Sequence, residues 1–125
     1  LPVLIVEDET SNRLFLRLLL EKYGLEVVEA SDGRQAVDII LSSMKFSVIL
    51  MDIKMPVMNG IEATRQIKAI DQTIPIIATT AYAMRGDEQN VLDAGCDDYI
   101  SKPIVKDVLF GKLKKLGLIG SNLVD

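Results

Sequence analysis

Apolar positions along the chain follow two alternating rhythms. Uninterrupted, largely β-branched runs at residues 1–6, 47–51 and 74–79 predict strands, with a weaker one at 26–30 and a short fifth at 99–101. Between them the apolar residues recur at helical spacing, which predicts helices over 11–23, 33–44, 60–70, 85–94 and 104–116. Local punctuation agrees with these limits. Asp32 is followed three positions later by Gln35 and Asn59 by Glu62, two capping-box patterns at helix starts. Gly24 and Gly95 stand just past helix ends, where a left-handed backbone is favoured.

Five strand–helix pairs in strict alternation imply an α/β fold with a parallel sheet covered on both faces. The wholly apolar segments 4–6, 48–51 and 76–78 suit doubly buried, central strands, whereas 26–30, which mixes Val27 and Val28 with Glu26 and Glu29, suits an edge. That division fits a doubly wound strand order 2-1-3-4-5, whose functional site lies at the carboxyl ends of the strands. Residues 1–116 make one domain and 117–125 a C-terminal tail or linker. A first residue of Leu rather than Met reads as a segment cut from a longer protein.

Composition narrows the chemistry. The 125 residues are 49% hydrophobic and 26% charged, ordinary values for one globular domain. No apolar run is long enough to span a bilayer, and no signal-peptide pattern is present. The net charge of −4 disfavours direct nucleic-acid binding, which needs a basic footprint. A single cysteine, Cys96, excludes an internal disulfide and fits a reducing, cytoplasmic compartment. The absence of histidine removes His-based catalysis and His-ligated metals, leaving carboxylates, hydroxyls and lysines.

Those groups gather at the strand ends. Glu7, Asp8 and Glu9 follow the first strand and Asp52 the third. Thr79 and Thr80 follow the fourth, and Ser101, Lys102 and Pro103 the fifth. Clustered carboxylates raise one another's pKa unless a cation lies between them. Oxygen-only donors point to a hard divalent ion, Mg²⁺ or Mn²⁺, that keeps some water ligands. Such an ion could bridge to a phosphoryl oxygen while Lys102 pairs a second and a threonine hydroxyl donates to a third. Asp52 then remains as a nucleophile able to hold a phosphoryl group covalently.

The segment Met51-Asp52-Ile53-Lys54-Met55-Pro56-Val57-Met58-Asn59-Gly60 closely resembles the acceptor segment of the response-regulator receiver domains of two-component signalling. Residues 4–9, 76–81 and 94–103 resemble that family's other signatures, in order and spacing, so the resemblance covers about residues 1–116. It implies a flavodoxin-like fold of five parallel strands and five helices. It further implies that Asp52 is the phosphoacceptor, with Asp8, Asp52 and the backbone carbonyl of Lys54 ligating the metal directly and Glu7 acting through water. Thr80, placed directly before the small residue Ala81, would be the switch hydroxyl in preference to Thr79. Tyr99 would be the aromatic switch residue, and Lys102-Pro103 a cis bond that aims the lysine inward. Cys96, Met51, Met55 and Met58 have plain packing roles. A histidine kinase or a histidine phosphotransfer protein would supply the phosphoryl group, and the domain would act as a monomer or weak dimer. The acceptor segment and Thr80 to Met84 look like receivers attached to hybrid sensor kinases.

Two rival chemistries share parts of this set. A haloacid-dehalogenase-like phosphatase also uses an Asp, a Thr, a Lys and Mg²⁺, but needs a second acid where this chain has Lys54. A flavodoxin-like cofactor site would place a phosphate against Glu7, Asp8 and Glu9, which repel it. A receiver-shaped interaction module without phosphorylation would have no use for the intact acidic set. The first helix adds a surface feature. On a helical wheel Asn12, Leu16, Leu19, Leu20 and Tyr23 form one stripe suited to face the sheet, with Leu14 and Leu18 opposite and Phe15 at the edge. Periodicity leaves open which stripe is buried or whether the helix packs against two neighbours. By the resemblance, Leu14, Phe15 and Leu18 form the core of a docking patch for the helices of the phosphodonor protein.

Overall fold

The structure, a computed structural model, describes residues 1–81 and 87–119. Tyr82 to Met84, the start of the predicted fourth helix and the end of the predicted tail lie outside the described residues. The elements run β1 (Val3–Val6), α1 (Thr10–Lys22), β2 (Val27–Ala30), α2 (Gly33–Leu41), β3 (Val48–Asp52), α3 (Gly60–Ile70), β4 (Ile76–Thr80), α4 (Asp87–Ala94), β5 (Asp98–Ser101) and α5 (Lys106–Lys115). All strand pairs are parallel, in the order β2-β1-β3-β4-β5. The fold is the flavodoxin-like doubly wound sheet that the alternation of patterns predicts.

Uninterrupted apolar strands are explained by the alternation of side chains across the pleat. Leu4, Val6, Ile49, Met51, Ile76 and Ala78 enter one core, shared with Val37 and Ile40 of α2, Ile67 of α3 and Val91 of α4. Their neighbours Val3, Ile5, Val48, Leu50 and Ile77 enter the other, against Leu16 and Leu20 of α1 and Leu109, Phe110 and Leu113 of α5. β2 is an edge strand and is only half-buried except at Ala30, which accounts for its mixed composition.

Helix ends follow local chemistry. The Asp32 side chain accepts from the Gln35 backbone N–H at 2.9 Å, but Gln35 Oε1 returns its bond to the N–H of Ser31 rather than to that of Asp32. Asn59 Oδ1 accepts from the Glu62 N–H at 3.0 Å, while Glu62 itself accepts from Gln66. Gly24 and Gly95 have φ of 84° and 112° and close the paired 6→1 and 5→2 bonds of a Schellman motif. α2 stops at Leu41, short of the expected residue 44, because Ser43 turns left-handed at φ 71°. α5 starts two residues later than expected, since Ile104 is spent on packing against the core and Val105 is extended. Beyond α5, Leu118 and Ile119 fold back onto the α1/α5 core.

Candidate functional site

The strand ends carry the polar groups, and the pleat decides which of them meet. Glu7, one residue past β1, continues the row of Val3 and Ile5, and Asp52, the last residue of β3, continues that of Val48 and Leu50. Both carboxylates therefore lie toward the α1/α5 side of the sheet, and both are buried, with exposures of 2% and 4%. Lys102, just past β5, reaches them from the far strand. Its Nζ donates to Glu7 Oε1 at 2.9 Å and to Asp52 Oδ1 at 3.0 Å. Asp8 is exposed beside them, and one carboxylate oxygen from each of Glu7, Asp8 and Asp52 falls within 4.8 Å of the others.

The loop after β3 is pressed onto Asp52. A side chain at Gly60 would overlap the Asp52 carbonyl, so only glycine lets α3 start so close to it, and the Gly60 N–H donates to the Ile53 carbonyl at 2.9 Å. Between them Val57 is left-handed at φ 67°, with the Met58 N–H donating to the Pro56 carbonyl at 2.7 Å. Such a γ-turn is strained for a β-branched residue. A cleft of about 240 Å³ opens over the cluster, lined by Glu7, Asp8, Glu9, Asp52, Lys54, Thr80, Ala81 and Lys102. Thr80 lines it and Thr79 does not, although Thr79 is the register partner of Asp52.

One lysine does not balance this charge. Burial pushes Asp52 up to about 7; the Lys102 hydrogen bond opposes that rise and the negative charge of Glu7 adds to it. At Glu7 burial also pushes upward, but the Lys102 hydrogen bond and the Glu9 N–H outweigh it and its pKa ends below the usual carboxylate value. The two carboxylates titrate as one unit around Lys102, and the second negative charge is the costly one. Three oxygen donors, an excess of negative charge and an open cleft fit a hard divalent cation.

Other predicted residues fall around this centre. The Lys102–Pro103 peptide is cis. Tyr99 stands apart on β5, its phenol pKa pushed up by the neighbouring Glu88 carboxylate of α4 and its ring beneath the Lys112 ammonium, 5.8 Å from the centroid. Leu14, Phe15 and Leu18 are exposed by 51%, 50% and 59%, while Leu16 and Leu20 are buried. Phe15 lines a second groove, of about 490 Å³, that shares Glu7, Ala81 and Lys102 with the acidic cleft. Leu14 and Leu18 line neither. Cys96 is buried with its thiol against the Thr64 hydroxyl at 3.6 Å, and burial pushes its pKa up, so it is an inert packing residue.

This arrangement has a family. Residues 3–114 match the response regulator receiver domain. The chain belongs to that family. It is 44% identical over 116 residues to hybrid signal transduction histidine kinase I of Dictyostelium discoideum, covering 86% of this chain and 7% of that protein. The chain thus spans only a small part of that relative. Among solved structures, the receiver domain of sensor histidine kinase PA1611 from Pseudomonas aeruginosa superposes with a TM-score of 0.85 at 38% identity, over 93% of this chain and 97% of that one. That receiver has a magnesium ion coordinated in its active-site cleft. The receiver domain of Ssk1 from Saccharomyces cerevisiae, solved with the histidine phosphotransfer protein Ypd1, gives 0.86 at 32% identity, over 94% and 88%. The Glu7, Asp8 and Asp52 cluster of this receiver resembles the Mg²⁺-coordinating phosphoacceptor sites of its relatives.

One feature beside the site leaves no trace in the periodicity. Arg13 of α1 donates to the Glu7 carbonyl at 2.7 Å and to Glu29 of β2 at 3.1 Å. The only local signal is an arginine at the start of a helix, where the macrodipole favours acids instead.

Proposed function

We propose that this receiver takes a phosphoryl group from a phosphohistidine onto Asp52 and changes conformation in consequence. The carboxylate attacks phosphorus in line, a P–O bond forms on Asp52, and the P–N bond breaks with its electron pair leaving on the imidazole of the donor. The observation that carries this reading is the buried pair Glu7 and Asp52 sharing one lysine beside Asp8, at the strand ends of a receiver fold. Asp8, Asp52 and the Lys54 carbonyl would hold Mg²⁺, or Mn²⁺, with Glu7 acting through water. Bound there, the ion supplies positive charge that keeps the carboxylates ionised and offsets the negative charge of the phosphoryl oxygens.

Lys102 already points at Asp52 and would exchange its carboxylate contact for a phosphoryl oxygen. Thr80, lining the same cleft, would donate its hydroxyl to another. That shift loosens the packing beneath Tyr99 and biases a two-state equilibrium on the face built from α4, β5 and α5. Hydrolysis of the acyl phosphate resets it.

This domain works in the cytoplasm. The phosphodonor is a histidine kinase or a histidine phosphotransfer protein, and the parent is a hybrid sensor kinase. Similarity to a Dictyostelium hybrid kinase and to a receiver solved with a phosphotransfer protein supports both statements. The donor docks on α1 through Leu14, Phe15 and Leu18, large apolar groups left in solvent beside the groove that adjoins the cleft. The test is transfer from a histidine-phosphorylated phosphotransfer protein to this chain. Replacing Leu14 and Leu18 by Gln should slow that transfer while labelling by a small phosphodonor and the Tm stay nearly unchanged. Unfolding of the double variant, or transfer at the wild-type rate, would refute the docking assignment.

A further inference from the structure

The Asp8 carboxylate has no hydrogen-bond or ion-pair partner among the described residues, unlike Glu7 and Asp52. No side-chain contact steers it, so what the structure fixes is the start of the side chain, the Cα–Cβ bond, through the peptide that joins Glu7 to Asp8. That peptide is held through its oxygen, and the peptide before it through its N–H. The Glu7 N–H donates to the Ala30 carbonyl of β2 at 3.1 Å, and the Glu7 carbonyl accepts from the Arg13 guanidinium at 2.7 Å. Arg13 is in turn fixed by Glu29, which accepts from its Nε at 3.1 Å and from Arg17 through the other carboxylate oxygen. The side chains of Arg13 and Glu29 are 18% and 28% exposed, so this brace is largely sheltered from water.

We propose that Arg13 is a positioning residue for the metal site, holding the Glu7–Asp8 peptide so that the Asp8 carboxylate faces Glu7 and Asp52. The planar fork suits the task, because separate nitrogens held in one rigid plane reach the carbonyl and the carboxylate, a spacing that the single nitrogen of an ammonium does not reproduce. Groups one bond removed from a metal ligand set its orientation, and their loss weakens binding about tenfold or more. The inference rests on the reading of Glu7, Asp8 and Asp52 as a metal site. It also makes a prediction of unusual sign. Arg13 is a cation close to an acidic cluster, so on charge alone its removal would tighten binding of a divalent ion. If Arg13 acts by positioning, its removal weakens that binding.

The experiment titrates the full chain with Mg²⁺ alone, read by amide chemical shifts, for the wild type, Arg13→Ala, Arg13→Lys and Arg17→Ala. Thermal unfolding without Mg²⁺ is measured on each. Arg13→Ala should raise the apparent Kd about tenfold. Arg13→Lys should fall between it and the wild type. Arg17→Ala, which breaks the neighbouring bond to Glu29 without touching Glu7, should bind as the wild type does. If the wild type itself binds no Mg²⁺, the metal-site reading fails. If it binds and Arg13→Ala binds equally or more tightly, the positioning role is overturned. Equal weakening in Arg13→Ala and Arg17→Ala would overturn it too, as a general loosening of α1 from β2. Should Arg13→Ala not fold, wild-type affinity in Arg13→Lys overturns the role in its place, because that variant keeps the charge and loses the fork.

Discussion

Two aspartates at opposite ends of the sheet carry opposite electrostatics. Asp71, past the end of α3 at the amino pole, accepts from the Thr73 hydroxyl and N–H and from Lys45. Those bonds hold its pKa at about 2. Asp52, at the carboxyl rim, is buried, shares its one lysine with Glu7, and is pushed up to about 7. Asp97, also at the amino end, accepts from Lys68 at 2.8 Å, and that lysine's other bonds go to the neutral carbonyls of Gln72 and Ile74. The amino pole pairs each of these acids with its own cation and helps to hold the fold. The carboxyl rim places two buried carboxylates on one lysine, with Asp8 beside them, and leaves room for a further cation and an anionic group. Unbalanced buried charge, rather than the mere presence of acids, marks the working end.

Breaking the rim should cost most in function. Asp8→Ala, or removal of divalent ions with a chelator, should abolish small-phosphodonor labelling and weaken Mg²⁺ binding, with the far-UV CD spectrum unchanged. Full labelling without divalent ions would exclude a role for the metal. Lys102→Ala should come next. It leaves Glu7 and Asp52 facing each other without a counter-charge, which costs on the order of 3 kcal/mol in denaturant titration without Mg²⁺. Added Mg²⁺ should recover part of that loss. Lys45→Ala, which breaks an exposed pair at the amino pole, should leave stability nearly unchanged. Similar losses in the two lysine variants would erase the contrast between the ends.

The smallest effect belongs to Asp71 and pH. Its folded-state pKa lies below the unfolded value, so its contribution is complete above about pH 4 and fades as pH falls toward 2. Asp71→Asn should remove that small contribution and flatten the acid limb of stability against pH. An unchanged acid limb would show that the Thr73 and Lys45 bonds do not stabilise the fold.

Much of this contrast is legible in the sequence, for identifiable reasons. Strands buried on both faces must be apolar at every position, so 4–6, 48–51 and 76–78 identify themselves as central, and polar groups directly after them mark the rim. The wheel of α1 separates Leu16 and Leu20 from Leu14 and Leu18 because one stripe suffices to cover the sheet. Termination is less legible. Met44 continues the helical period past Leu41, the true end of α2, although both are exposed. Least legible are contacts between distant polar side chains. Nothing in the spacing of Arg13, Glu29, Tyr99 or Lys112 shows that Arg13 reaches both Glu7 and Glu29 or that the Tyr99 ring lies beneath Lys112. Such pairs depend on the register of strands and helices brought together by the fold.

The underbalanced carboxylate at the rim, and not its well-paired counterpart, should be the one that receives the phosphoryl group. Intact-mass and peptide mass spectrometry after incubation with a small phosphodonor and Mg²⁺ tests this directly, on the wild type, Asp52→Asn and Asp71→Asn. One phosphoryl adduct is expected on the wild type, located at Asp52, the same adduct on Asp71→Asn, and none on a folded Asp52→Asn. An adduct that persists on Asp52→Asn, or a wild type that takes none with Mg²⁺ bound, would contradict the assignment.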